Sequence, residues 1–153
     1  MDVKIQTPLP LRTRIREALL SQLAEQSPYR VVDNPCHPLT LADLPAVTLK
    51  LEKESAVPES AVVITPGVLT QSYTLPVVIE GLLAGCSSLQ SDLEIMAVSI
   101  MQALQQNPTL GGLCQTLTWE SGAEITLLAE GEAPMGCVRL VAQLLYRRSD
   151  LLP

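Results

Sequence analysis

The chain has no phenylalanine, one tryptophan and one histidine in 153 residues. Its core must therefore be built from Leu, Val, Ile and Ala. Such a core fills space but supplies few stacking faces, which argues against a nucleobase or flavin pocket. One histidine, His37, excludes most His-based metal or catalytic clusters. The cysteines Cys36, Cys86, Cys114 and Cys137 are too scattered for a C-x-x-C unit or a disulfide-built fold and read as reduced thiols. No apolar run reaches the ~18 residues of a membrane-spanning helix; Glu80 and Gln102 break the longest stretches. The start, Met1-Asp2-Val3-Lys4, lacks the basic-then-apolar pattern of a signal peptide. No G-x-G-x-x-G, P-loop, G-x-S-x-G or H-E-x-x-H string occurs, and no internal repeat.

Charge is also scarce, at 17% of residues, with 10 Lys+Arg against 16 Asp+Glu and a net charge of -6. An acidic chain is a poor candidate for binding nucleic acid through phosphate contacts. With 47% hydrophobic residues, disorder is excluded and a single domain is expected. Composition thus predicts an intracellular α+β domain and names no chemistry.

Leu11, Ile15, Ala18, Leu19 and Leu23 fall at helical spacing after Pro8 and Pro10, which predicts a helix over residues 10–26 ended by Ser27-Pro28. Residues 30–40, with Asp33, Asn34, Pro35 and Pro38, read as a loop with a short extended piece at 30–32. Val47, Leu49 and Leu51 alternate with Thr48, Lys50 and Glu52, the period of a half-buried strand. Residues 53–59 read as a mobile connector, and 61–65 as a short strand or extended loop. In residues 70–80, Tyr73, Leu75, Val77 and Ile79 share one face of a second strand. Pro76 cannot donate to a ladder, so this strand is expected to be an edge or locally bulged.

Residues 81–90 read as a small-residue connector. Ser91 and Glu94 then form a capping-box pattern. Leu93, Met96, Ala97, Ile100 and Leu104 make the inner stripe of a second helix, stopped by Asn107-Pro108. Met101, like Met96, reads as packing. After a turn at 110–113, residues 114–120 and 123–128 are strand candidates. Val138, Leu140, Ala142, Leu144 and Tyr146 alternate through 137–147, which predicts a long strand, with a helix as the rival. The expected fold class is α+β: a single mixed, mostly antiparallel sheet with two helices packed on one face, spanning residues 1–153 as one domain.

Five strings in this order resemble the tail-terminator family of long-tailed bacteriophages, the minor tail protein U-like proteins that cap the tail tube. They are the leading helix Leu11-Arg12-Thr13-Arg14-Ile15-Arg16-Glu17-Ala18-Leu19, then Asp43-Leu44-Pro45-Ala46-Val47, Ser72-Tyr73-Thr74-Leu75, and Asp92-Leu93-Glu94-Ile95-Met96 followed by Leu110 and Leu113. The last is the closing Leu144-Leu145-Tyr146. The resemblance implies a homo-oligomeric ring, a hexamer, on the head-proximal end of the tube. It implies as partners the tail tube protein, a head connector or neck protein, and DNA only as passing cargo. It implies no catalytic residues, no cofactor, no metal and no membrane. The expected location is the bacterial host cytoplasm during assembly and then the virion tail.

Several residues have both a functional and a structural reading. Residues 54–65, with Glu54 and Glu59, are either a segment that orders when neighbouring subunits dock or a solvated hairpin loop. Arg12, Arg14 and Arg16 either pair with acids of an adjacent subunit or form a solvated helix face; Arg147 and Arg148 have the same two readings. Trp119 is either a half-buried strand residue or an interface anchor. The strand containing Pro76 is a candidate ring contact. Glu52, Glu54, Glu59, Glu124, Glu130 and Glu132 either repel DNA from a ring lining or serve solubility. Cys36-His37 lacks the third group that a nucleophile–base pair needs.

The leading expectation is a structural assembly protein and not an enzyme. The rivals are a neck or head-completion protein of a phage or injection device, and a small cytoplasmic module with an apolar ligand pocket between helices and sheet.

Overall fold

The computed structural model describes residues 10–33, 39, 43–85, 88–120, 122–128 and 134–151. Two helices, α1 (Leu11–Gln26) and α2 (Leu89–Gln105), accompany eight strands. The strands are β1 (Arg30–Asp33), β2 (Ala46–Leu51), β3 (Ser55–Ala56), β4 (Val62–Thr65), β5 (Val68–Ala84), β6 (Thr116–Trp119), β7 (Glu124–Leu128) and β8 (Met135–Leu151). The fold is α+β with one mixed sheet in the order β1-β2-β5-β8-β6. Among the described residues only β1 and β2 pair in parallel; every other pair there is antiparallel.

β5 and β8 form the spine. Their 17-residue strands pair along their whole length, from Val68↔Leu151 to Ala84↔Met135. β2, β3 and β4 follow one another along the other side of β5, and β6 and β7 share the outer side of β8. Period-2 alternation decides which face is dry. Leu75, Val77, Ile79, Val138, Leu140, Ala142, Leu144 and Tyr146 are buried on the helix side with Val47 and Leu49. The helices supply Ile15, Leu19 and Leu23 from α1, and Leu89, Leu93, Met96, Ile100 and Leu104 from α2. Each large aliphatic side chain so buried contributes about 1.5–3 kcal/mol. Gln22 of α1 donates to the Ala103 carbonyl of α2 at 2.9 Å, which ties the helices together.

The closing segment is a strand and not a helix. Several expectations need correction. β5 is not an edge strand, and Pro76 sits within it opposite Gln143 without interrupting the β8 ladder. The Pro76 carbonyl accepts from the Glu52 N–H at 2.9 Å, on the side where β2 ends. N–H and C=O of one strand residue point the same way, so the missing donor faces the break between β2 and β3. Residues 53–59 are more than a connector: β3 pairs with Tyr73 and Thr74. The piece at 30–32 is a strand extending to Asp33. Residues 81–84 continue β5. α2 starts at Leu89 with Ser88 at the N-cap, three residues before the expected capping box. Ser88 Oγ donates to Asp92 Oδ2 at 3.0 Å and makes no bond to the helix backbone.

Gly136 brings helix and sheet close. A Cβ there would collide with Leu93 Cδ1 and sit 3.3 Å from Leu89 Cγ. Gly136→Ala is expected to destabilise the protein by about 1–3 kcal/mol through overpacking. Urea unfolding checks this; an unchanged midpoint would show that α2 does not bear on that backbone.

Candidate functional site: an open apolar strand and its anchor

β4 is built from Val62, Val63, Ile64 and Thr65, a β-branched run suited to a pleated strand. Pro66 and Gly67 turn it back into β5, with Gly67 at φ +79 supplying the left-handed position that follows a turn proline. β4 pairs with β5 on one side; among the described residues no strand pairs with its other side. All four residues are exposed, with Val63 at 54% and Ile64 at 71%. An uncovered apolar edge of this kind invites another strand or surface.

The chain leading into β4 is fastened to β5. Arg148 of β8 forms an ion pair with Glu54 Oε1, and its other terminal nitrogen donates to the Tyr73 hydroxyl at 3.0 Å. Its guanidinium lies 4.2 Å from the Tyr73 ring centroid, and Tyr73 stacks on Tyr146 with centroids 5.9 Å apart. Val57 N–H donates to the Ser72 carbonyl at 2.9 Å, and Ser60 Oγ accepts from Ser72 N–H at 3.2 Å. Residues 54–60 are thus already held in the single chain. Glu59 is exposed in the turn between β3 and β4, at φ 61.

The remaining residues singled out from sequence are spread over the molecule. Arg12 donates to the carbonyls of Glu52 and Leu51 at 2.7 and 3.0 Å, pinning the start of α1 to the end of β2. Arg16 lies 3.8 Å from Asp33, and Arg14 is exposed. Arg147 is exposed on the sheet face away from the helices, opposite Ser72. Trp119 is half-buried against the core on β6, across the sheet from β4, and its Nε1 is buried without a hydrogen-bond partner among the described residues. Pro76 is half-buried inside the sheet. Glu52 and Glu54 are half-buried; Glu59 and Glu124 are exposed. Cys36, His37, Cys86, Glu130 and Glu132 lie outside the described residues.

Cys114 and Cys137 are free thiols. Burial pushes each up to about 11, with Glu80 adding to the effect at Cys137, so neither is a thiolate nucleophile at neutral pH. Among the described residues, no three of His, Cys, Asp and Glu lie where they could hold a metal ion. No helix there is long and apolar enough to cross a membrane.

The sequence leaves 61–65 as a short strand or an extended loop and does not show its full exposure; the structure makes Val62–Thr65 a strand. The signal was present in part: four consecutive β-branched residues, without polar alternation, between Glu59 and Pro66. No protein-family model matches the chain, and no curated protein matches it.

Proposed function

We propose that the chain is a structural assembly protein of the tail-terminator type. It forms a closed homo-oligomeric ring, a hexamer, on the head-proximal end of a phage tail tube. There it stops tube polymerisation and forms part of the surface that joins head to tail. Its action is surface complementarity without turnover. Its partners are further copies of itself, the tail tube protein and a head connector or neck protein, with DNA as passing cargo.

The observation that carries this reading is β4, an apolar edge strand exposed along its length and anchored at its root by Arg148 and Glu54. A closed ring needs two unlike surfaces on each subunit that fit one another. An open strand edge supplies one of them, because main-chain hydrogen bonds give affinity and the projecting side chains give selectivity. The order of the five sequence strings along the chain supports the specific assignment to tail ends.

The test is to add purified protein to growing tubes of the neighbouring tail-tube protein and score tube length and ends by electron microscopy. A ring on one end with arrested growth is expected. Tubes that lengthen unchanged across the whole concentration range would overturn the terminator assignment. Binding to isolated heads instead would move the chain to the neck or head-completion class.

A further inference from the structure

Near the Pro66-Gly67 turn the sheet narrows to β4, β5 and β8. β6 makes its last rung with β8 at Leu145. Past that rung, no strand among the described residues pairs with the outer side of β8. This end of the sheet therefore has two open edges. β4 is one, and residues 147–151 of β8 are the other.

The ladder fixes which main-chain groups of β8 are open. In an antiparallel pair, N–H and C=O of one residue point to the same side, and successive residues point to opposite sides. The Leu145 carbonyl accepts from Gln115 N–H at 2.7 Å, so Leu145 points away from β5. Arg147, Ser149 and Leu151 share its parity and point the same way. The rungs on β5 agree, since Ser72, opposite Arg147, turns its carbonyl to Val57 N–H on the far side. On β4, the rungs Val62↔Thr70 and Thr65↔Val68 are one residue out of step, so Val63 and Ile64 together face Leu69. That bulge leaves Val63 and Ile64 as the part of β4 open to a further strand, and it keeps the open stretch short.

The two edges fit one another. Both strands are antiparallel to β5, so they run in the same direction. Each open stretch spans roughly 13–17 Å at the usual rise per residue. β4 is uncharged, while the end of β8 carries the exposed Arg147. Pairing β8 with β8 sets two such arginines on one short joint, which like-charge repulsion opposes. Pairing β4 with β4 closes at two copies and leaves both β8 edges open. Only β4 against β8 satisfies both edges and repeats from copy to copy.

We propose that neighbouring subunits join by main-chain pairing of β4 of one copy with residues 147–151 of β8 of the next. The proposal rests on the ring reading above and supplies the second of the two unlike surfaces that a ring needs. A rotation about an axis close to the strand direction preserves the shared direction, so the new rungs are parallel. The exposed Val63 and Ile64 are then covered by the neighbour, with main-chain bonds supplying affinity as in other added strands.

The test uses Ser149→Pro in the full chain. Ser149 points away from β5, so this proline removes an outward N–H and no bond of the β5–β8 ladder, and proline is tolerated at such an edge. Its melting temperature should stay close to the parent's. Its dissociation constant for self-association should rise by about tenfold or more, the scale of a main-chain bond lost with its partner left unsatisfied. Leu151→Pro, one outward residue further along, carries the test if Ser149→Pro does not fold. The decisive arm mixes Ser149→Pro, whose β4 is intact, with Val63→Lys/Ile64→Lys, whose β8 is intact. Each alone should be monomeric where the parent assembles, and the mixture should form one-to-one pairs that stop at two, resolved by native mass spectrometry. A mixture that stays monomeric overturns the joint and leaves the ring reading standing. So does a folded proline variant that assembles as the parent does. A parent that never self-associates, free or on tail tubes, overturns the ring reading and the joint with it.

Discussion

The double substitution Val63→Lys with Ile64→Lys is expected to abolish assembly of the proposed ring while leaving the fold intact. The two side chains are 54% and 71% exposed, so the monomer loses little burial on exchange. Substitutions at exposed sites of this kind stay within about 0.5 kcal/mol of neutral. An edge strand bearing lysine is disfavoured for further pairing, because each docked subunit would have to desolvate or repel the new charges. The loss of two apolar side chains from each proposed joint is worth roughly 2–3 kcal/mol, about a hundredfold in dissociation constant. Native mass spectrometry and light scattering read the oligomer directly, and circular dichroism confirms the fold. If the variant still assembles at the parent's concentration, the joint lies elsewhere on the molecule.

Leu93→Ala is expected to be the most destabilising of the substitutions considered. Leu93 is fully buried in the layer between α2 and the sheet. Truncation removes its transfer free energy and leaves a cavity that the rigid β5–β8 ladder cannot close, at a cost of about 3–4 kcal/mol. For a domain of this size that is a fall in melting temperature of roughly 8–14 °C. The neighbouring Gly136 makes the prediction sharper. A methyl at position 136 collides with the Leu93 side chain, so Gly136→Ala should be harmful alone and nearly harmless in the Leu93→Ala background. The coupling between the two should be about 1 kcal/mol or more, since contacting residues are not additive. Strict additivity in urea unfolding would show that the two sites do not touch.

The sheet's dry face was legible because alternation survives along β2, β5 and β8 and because each helix carries a stripe at its own period. Leu93, Met96, Ala97, Ile100 and Leu104 were read as an inner stripe, and all are buried. Pro76 misled for a physical reason. A proline reports only that one donor is missing, not which neighbour fails to need it. Here the break between β2 and β3 faces that gap. β3 was illegible because backbone bonds to Tyr73 and Thr74 create it, and its two residues carry no pattern. The start of α2 was displaced because Ser88 occupies the N-cap without a bond to the helix backbone, so no side-chain signature marked it.

The candidate sites were less legible than the fold. A run such as Val62-Val63-Ile64-Thr65 fits a buried strand as well as an exposed one, and only the neighbouring strands decide. Nor does any local pattern in residues 146–151 show that β6 stops pairing with β8 at Leu145.

The long pairing of β5 with β8 also has a mechanical side. Two 17-residue strands in continuous register reach roughly 55 Å at the usual rise per residue. A pull along their common axis loads all the rungs together, whereas a sideways pull at one end opens them one at a time. Pro66-Gly67 joins β4 to one end of β5, beside the last residues of β8. Tension entering through that turn along the strand axis is therefore shared by the ladder before it reaches the helices. The molecule resists such tension as a strap rather than as a hinge.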